Sequence, residues 1–245
     1  MTRDYQKELE NRIAFVRKAL ADAHADGIVF NNSGGKDCTL VGAICKAACD
    51  NTVGLILPCQ SSRNYGEDRV DAEAAAARFG FTNRIIDLTA VKETMVGALE
   101  KDVTLNQQAL TNINPRLRMI CAYAVGAAEN RLVAGTGNRS EIHMGYFTKW
   151  GDGACDLNPI ADLTVREVFE FLRYLDAPAH IIEKAPSAGL FEGQTDEKEM
   201  GITYNAIDAY LLEGTATEED KAKIDRYYAR TAHKRRMPLW YGVND

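Results

Sequence analysis

Nine consecutive residues, Asn31-Asn32-Ser33-Gly34-Gly35-Lys36-Asp37-Cys38-Thr39, place groups that hold an anion beside one that repels it. They follow a short apolar run, Gly27-Ile28-Val29-Phe30, and lead into a helix-compatible stretch. Gly34 and Gly35 permit a tight turn in which several N–H groups converge on one anion at a helix N-terminus. Ser33 supplies a hydroxyl and Lys36 a positive charge, between Asn32 on one side and Cys38 on the other. Asp37 is out of place beside an anion unless Mg²⁺ lies between them, because that ion takes a carboxylate together with phosphate oxygens. The spacing is neither Gly-x4-Gly-Lys-Ser/Thr nor Gly-x-Gly-x-x-Gly. A glycine turn that only joins strand to helix is the plain alternative. The strand before it and the pattern Ser-Gly-Gly-x-Asp favour a phosphate loop.

Elements must hold such a loop in place, and the first half of the chain supplies them. Residues 4–24 have helical spacing, with Ile13, Val16 and Leu20 on one face. Four short runs, 27–30, 53–57, 84–88 and 131–134, are apolar and β-branched, as suits strands buried on both faces. Helix-compatible stretches at 39–50, 67–79, 91–100 and 112–129 alternate with them. The alternation predicts an α/β fold, a doubly wound parallel sheet flanked by helices. Ligands in such sheets bind beyond the carboxyl ends of the strands, so the loops after Phe30, Leu57 and Ala134 matter most.

The second half is less regular. Residues 135–159 are rich in Gly and polar groups and read as a long functional or mobile loop. Thr164-Val165-Arg166-Glu167 has capping-box form and opens a helix with Val168, Phe169, Leu172 and Leu175 on one face. Thr217 caps a final helix whose Ile224, Tyr227 and Tyr228 are expected to face inward. No internal repeat or linker divides the 245 residues, and a single domain over 1–245 is the simplest expectation.

Composition narrows the function classes. The 29 Lys+Arg against 35 Asp+Glu leave a net charge of −6, which argues against dedicated nucleic-acid or anionic-membrane binding. The basic cluster Lys234-Arg235-Arg236 is too short to reverse that. No apolar stretch reaches the 18 residues a membrane span requires, and the expected location is cytoplasmic. The six cysteines form no Cys-x-x-Cys and no Cys/His cluster, so free and mostly buried thiols are expected instead of a zinc site. Glu67, Asp68, Asp71 and Glu73 read as a solvated helix face. His24, His143 and His180 show no partner pattern.

Ser33-Gly34-Gly35-Lys36-Asp37-Cys38 resembles the Ser-Gly-Gly-x-Asp-Ser loop of the pyrophosphatase-loop ATP enzymes, with an adenine nucleotide alpha hydrolase-like fold. Further motifs follow in order. They are Arg116-Leu117-Arg118-Met119, Gly135-Thr136-Gly137-Asn138-Arg139-Ser140-Glu141, Gly145-Tyr146-Phe147-Thr148-Lys149-Trp150-Gly151-Asp152-Gly153, Pro186-Ser187-Ala188 and His233-Lys234-Arg235. Together they resemble the NAD⁺ synthetase family over nearly the whole chain. The resemblance implies Mg²⁺-dependent amidation of deamido-NAD by a homodimer, using ammonia, with ATP going to AMP and pyrophosphate through an adenylated intermediate.

The resemblance also implies residue roles. Asn32, Ser33, Gly34, Gly35, Lys36, Asp37, Cys38, Thr136 and Ser187 would contact ATP, and Asp37 and Glu141 would hold the metal. Arg116, Lys149, Asp156, His233 and Lys234 would contact deamido-NAD, with Asp152 positioning ammonia or taking its proton. The loop 146–153 is expected to close over the reactive anhydride. No glutaminase domain is expected, since the family motifs begin near residue 28 and run to Pro238. Cys38 stands in place of the loop's usual serine, Val165 where relatives carry an ATP-binding lysine, and Gly137 in place of an aspartate. The first two departures leave open a catalytically weakened dinucleotide-binding homologue, and the shared phosphate loop leaves open a tRNA thiolase of the same superfamily.

Overall fold

The computed structural model describes residues 3–59, 66–184 and 196–242. Four parallel strands, β1 (Gly27–Asn31), β2 (Thr52–Ile56), β3 (Thr82–Ile85) and β4 (Arg131–Ala134), form one sheet in the order β3-β2-β1-β4. The chain winds outward from β1 through β2 to β3, then returns to place β4 on the other side of β1. Phe30 in the centre pairs with both Gly54 and Ala134. The direction of winding reverses between β1 and β4, and the loops leaving those two strands diverge to open a crevice.

Alternation along β1 builds both layers of the core. Ile28 and Phe30 face α1 (Tyr5–Ala23) and α2 (Lys36–Ala48), while Val29 faces the other side with Val53, Leu55 and Val133. That second side is covered by α5 (Gln107–Glu129), which buries Ile113, Leu117 and Ala122. Between them in the chain lie α3 (Glu67–Phe79) and α4 (Thr89–Leu99).

Three boundaries differ most from the sequence expectation. The third strand spans 82–85, not 84–88, because it is an exposed edge strand; Ile86 and Leu88 keep single bonds to the carbonyls of Ile56 and Pro58 beyond its end. Helix α2 starts at Lys36, so the phosphate loop supplies its first turn. Helix α5 starts at Gln107 because Asn106 caps it, accepting the Ala109 N–H at 2.8 Å, and Pro115 lies inside it.

Residues 135–159 are not one loop. They contain α6 (Arg139–Met144), and Leu157 bridges in parallel to Ala134. Beyond them α7 (Val165–Tyr174) opens with the expected capping box between Thr164 and Glu167. It is followed by α8 (Ala179–Glu183), α9 (Asp196–Met200), α10 (Tyr204–Glu213), α11 (Glu218–Arg230) and a 3₁₀ turn at Ala232–Arg235. Thr217 caps α11, and Ile224 is fully buried, but Tyr228 is exposed and stacks on His143 at 4.5 Å. No helix among the described residues is long and apolar enough to cross a membrane.

Candidate active site

The crevice at the switch point is a cleft of about 1800 Å³. A pocket for one small ligand typically measures about 300–1,000 Å³. This cleft has room for two substrates at once.

Its floor is the loop after β1. Gly34 adopts φ +75°, and a Cβ there would collide with the carbonyl of Asp68 and the Cβ of Asp71 on α3. Asn32, 2% exposed, braces the turn: its Oδ1 accepts the Gly34 N–H at 3.1 Å and its Nδ2 donates to Asn83 Oδ1 at 3.0 Å. Ser33 Oγ lies 3.2 Å from Cys38 Sγ, so the thiol stays within the loop. Burial pushes the Cys38 thiol pKa up, which keeps it a neutral SH group.

The opposite wall is the loop after β4, carrying Thr136 and the first turn of α6. Asn138 caps α6 by accepting the Glu141 N–H at 3.0 Å, and Glu141 Oε2 accepts the Asn138 N–H at 3.1 Å in return. Asn138 Nδ2 then donates across the crevice to Asp37 Oδ1 at 3.1 Å. Asp37 and Glu141 thus meet at one point, as the sequence suggested. Burial, reinforced by the charge of Asp37, raises the Glu141 carboxyl to a pKa of about 8. Two carboxylates repelling each other in a poorly solvated corner are a suitable place for a divalent cation. No group of three or more His, Cys, Asp or Glu able to hold a metal exists among the described residues. The donor set fits Mg²⁺, which is usually held by one or two carboxylates plus substrate phosphates.

The third wall is residues 146–154 with the chain's C-terminal segment. Thr148 donates its N–H to Asp152 Oδ1 at 2.9 Å, and its hydroxyl donates to Asn112 Oδ1 at 2.7 Å. A Cβ on Gly153 would strike the Phe147 ring. This segment is a pinned turn. Asp152 opens onto the cleft but is ringed by protein, which raises its pKa, while Lys234 and Arg118 pull it back down. Lys234 donates to the carbonyls of Gly145 and Phe147 at 2.8 and 2.7 Å, and Lys149 to the carbonyl of His233 at 2.5 Å. These cations knit the wall together as well as charging it.

Most of the expected residues converge here. Asn32, Ser33, Gly35, Lys36, Asp37 and Cys38 line the cleft from below, with Thr136, Glu141, Lys149, Asp152, His233 and Lys234 around it. Gly34, Arg116 and Asp156 do not line it. Asp156 instead accepts the Val133 N–H at 2.7 Å and the Tyr123 hydroxyl at 3.2 Å. Ser187 lies outside the described residues.

Sequence reading missed Arg118, Lys184, Asp68 and Asp196, all of which line the cleft. The acidic run on α3 is only half a solvated face: Glu67 and Glu73 are exposed, but Asp71 is buried, and Lys184 binds Asp68 and Asp71 at 3.0 and 2.5 Å. Helical periodicity was the missed signal for Arg118. Thr111, Pro115, Arg118 and Ala122 repeat along the cleft face of α5, and Arg116 falls off that face.

The chain as a whole is similar to known proteins. A family model described as NAD synthase matches residues 8–238. An NH(3)-dependent NAD(+) synthetase of Carboxydothermus hydrogenoformans is 43% identical over 239 residues, covering 96% of this chain and 97% of that protein. The structure of an NMN synthetase from Francisella tularensis superposes with a TM-score of 0.92 at 32% identity, covering 98% of this chain and 100% of that one. An NH3-dependent NAD synthetase from Campylobacter jejuni gives 0.79 at 28% identity, covering 98% and 99%. The family model spans nearly the whole length, relatives are up to 43% identical over it, and the chain belongs to the NAD synthase family.

Proposed function

We propose that this member of the family amidates deamido-NAD with free ammonia, in a reaction that consumes ATP and releases AMP and pyrophosphate. As a member of the family it is a ligase that forms a C–N bond. The observation that carries the finer reading is the convergence of Asp37, from the phosphate loop, and Glu141, from the loop after β4, through Asn138.

The nicotinate carboxylate is a poor acyl donor because its leaving group would be oxide. Its attack on the α-phosphate of ATP makes a mixed anhydride and splits one hard step into two easier ones. The N–H groups around Gly35 and the first turn of α2 hold the phosphates. Mg²⁺ bound by Asp37 and Glu141 would neutralise the charge that builds on the leaving pyrophosphate. Arg118 on the α5 wall adds a guanidinium to the cleft, while the Lys184 ammonium on the rim is engaged by Asp68 and Asp71. Asp152, with its raised pKa, holds ammonia and takes its proton as the amide forms. The pinned turn 146–154 keeps water from the anhydride.

A homodimer is part of this reading. No residue of α4 is buried, and Val91, Met95 and Leu99 are exposed along it, with Ile120 on α5. Arg116 lies one turn from Ile120, on the side that a second copy would cover. Six free thiols suit a cytoplasmic protein.

The TM-score of 0.92 to an NMN synthetase, against 0.79 to an NAD synthetase, favours one second reading: the same amidation on a mononucleotide. Exchange of labelled pyrophosphate into ATP, measured with deamido-NAD, with nicotinate mononucleotide and with tRNA, tests all of these. Exchange with deamido-NAD at a kcat/KM at least tenfold above the mononucleotide is the expected result. The reverse ratio transfers the assignment to the mononucleotide. Exchange with tRNA alone removes both, and no exchange at all supports a weakened homologue.

A further inference from the structure

Lys36 occupies the x position of Ser-Gly-Gly-x-Asp, and its side chain does not point to solvent. It is 8% exposed, and its Nζ donates to Asp37 Oδ2 at 2.8 Å. The ring centroids of Phe169 and Tyr204 lie 5.9 and 5.8 Å from the ammonium. Glu141 and Asp196 add two further carboxylates to its field. One ammonium therefore serves three acids in an aromatic-walled corner.

Each oxygen of Asp37 already accepts one hydrogen bond: Oδ1 from the neutral amide of Asn138, and Oδ2 from the Lys36 ammonium. A dication that approaches Oδ2 competes with the ammonium that holds it, because the two like charges repel each other across one carboxylate. Lysine is suited to giving way, since its charge rides on a flexible four-carbon stem. Lys36 lines the cleft, so the departing ammonium has open space that the ATP phosphates would enter.

We propose that Lys36 is a tethered counter-ion of the Asp37–Glu141 site, which a divalent cation displaces and which the displacement delivers to the phosphates of ATP. The proposal rests on Asp37 and Glu141 being the metal carboxylates. It makes Lys36 a residue that weakens the nucleotide-free metal site and strengthens the nucleotide-loaded one.

The test is titration of Mn²⁺ into the full-length protein without nucleotide, followed by the electron paramagnetic resonance signal of free Mn²⁺. Lys36→Met is expected to bind Mn²⁺ at least about tenfold more tightly than wild type (about 1.4 kcal/mol). Lys36→Arg, which keeps the charge, is expected to stay within about twofold of wild type. Equal or weaker binding by Lys36→Met overturns the proposal. Glu141→Gln separates the two layers: if it leaves wild-type Mn²⁺ binding unchanged, the carboxylate assignment itself falls. Should Lys36→Met not fold, Mg²⁺ titration of wild-type protein carrying ¹³C-labelled lysine provides the second reading. A shift of the Lys36 ε-methylene signal that tracks Mg²⁺ occupancy supports displacement, and a signal unmoved at saturation overturns it.

Discussion

Asn138 Nδ2 donates to Asp37 Oδ1 at 3.1 Å, although 101 residues separate the two in the chain. The bond spans the gap between β1 and β4 where the winding of the sheet reverses. The same asparagine caps α6 and accepts the Glu141 N–H, so one buried amide sets the spacing of both acids. Asn138→Ala is expected to cost about 1–2 kcal/mol of stability through the lost cap. It should also raise the Mg²⁺ concentration for half-maximal activity several-fold, since the acids lose their common tether. Asn138→Asp keeps the cap acceptor but buries a third acid beside Asp37 and Glu141 and loses the donor to Asp37, so without metal it should recover neither stability nor activity. Steady-state kinetics across a Mg²⁺ series, with thermal melts of each variant, check both halves.

The acids themselves make a sharper case. Asp37→Asn and Glu141→Gln are each expected to abolish Mg²⁺-dependent turnover while leaving the fold intact. Glu141 has a pKa of about 8 in the folded chain against 4.5 for the free group, from burial and from the charge of Asp37. An acid raised on folding contributes stability that is fully present below pH 4.5 and is lost as pH rises through 8. Metal-free wild type should therefore lose Tm across that window more steeply than Glu141→Gln, and Mg²⁺ should restore more Tm at pH 8 than at pH 5. Parallel Tm-versus-pH curves for the two proteins in chelator would exclude the raised Glu141 pKa, and full Mg²⁺-dependent turnover by either variant would exclude the metal assignment.

These relationships mark how far the residues alone could be read. The parallel sheet was legible because Ile28, Val29 and Phe30 are apolar without alternation, which only a strand covered on both faces tolerates. The phosphate loop was legible because Gly34 and Asp37 have little reason to occur together otherwise. Arg118 was not, because its neighbour Arg116 carries the same charge and only the 100° turn per residue separates them. Nor was Lys184: its partners Asp68 and Asp71 lie more than 110 positions away, and an acidic run on a helix ordinarily faces water. Asp156 shows the converse, since its carboxylate is engaged by the Val133 N–H and no pattern in the sequence signals that bond.

The two departures from the family pattern separate on structural grounds. Cys38 sits in the loop beside Ser33, so Cys38→Ser places a stronger donor there without changing the packing. It is expected to lower the ATP KM about two- to fivefold, within the roughly 0.5–1.5 kcal/mol of one hydrogen bond. Val165, 3% exposed, packs with Met144, Met200 and Ile207 at the start of α7. A lysine there adds an ammonium among apolar groups and at the positive end of a helix. Val165→Lys is expected to destabilise the protein by about 2–4 kcal/mol without improving ATP affinity. A lower ATP KM in Val165→Lys with an unchanged Tm would show that the side chain escapes to the cleft and works there.

The nitrogen source is the remaining question, and it turns on thiol chemistry and on Asp152. Hydrolysing glutamine needs a thiolate or an activated equivalent, together with a base and an oxyanion hole. Burial pushes the thiols of Cys38, Cys45, Cys59, Cys121 and Cys155 up, away from the ionised form. The protein is expected to make NAD from ammonium chloride and to show no activity with glutamine alone in ammonia-free buffer. Its KM for total ammonia should fall as pH rises, because NH₃ and not NH₄⁺ carries the lone pair that attacks the anhydride. Asp152→Asn keeps the Thr148 N–H bond through its side-chain oxygen but cannot take the proton. That variant should lose about 10²–10³ in kcat with little change in the ATP KM, as expected for loss of general-base catalysis. If Asp152→Asn retains kcat, the proton leaves by another route and Asp152 serves only to shape the turn. Equal NAD yields from glutamine and from ammonium would place an amidotransferase centre in this chain.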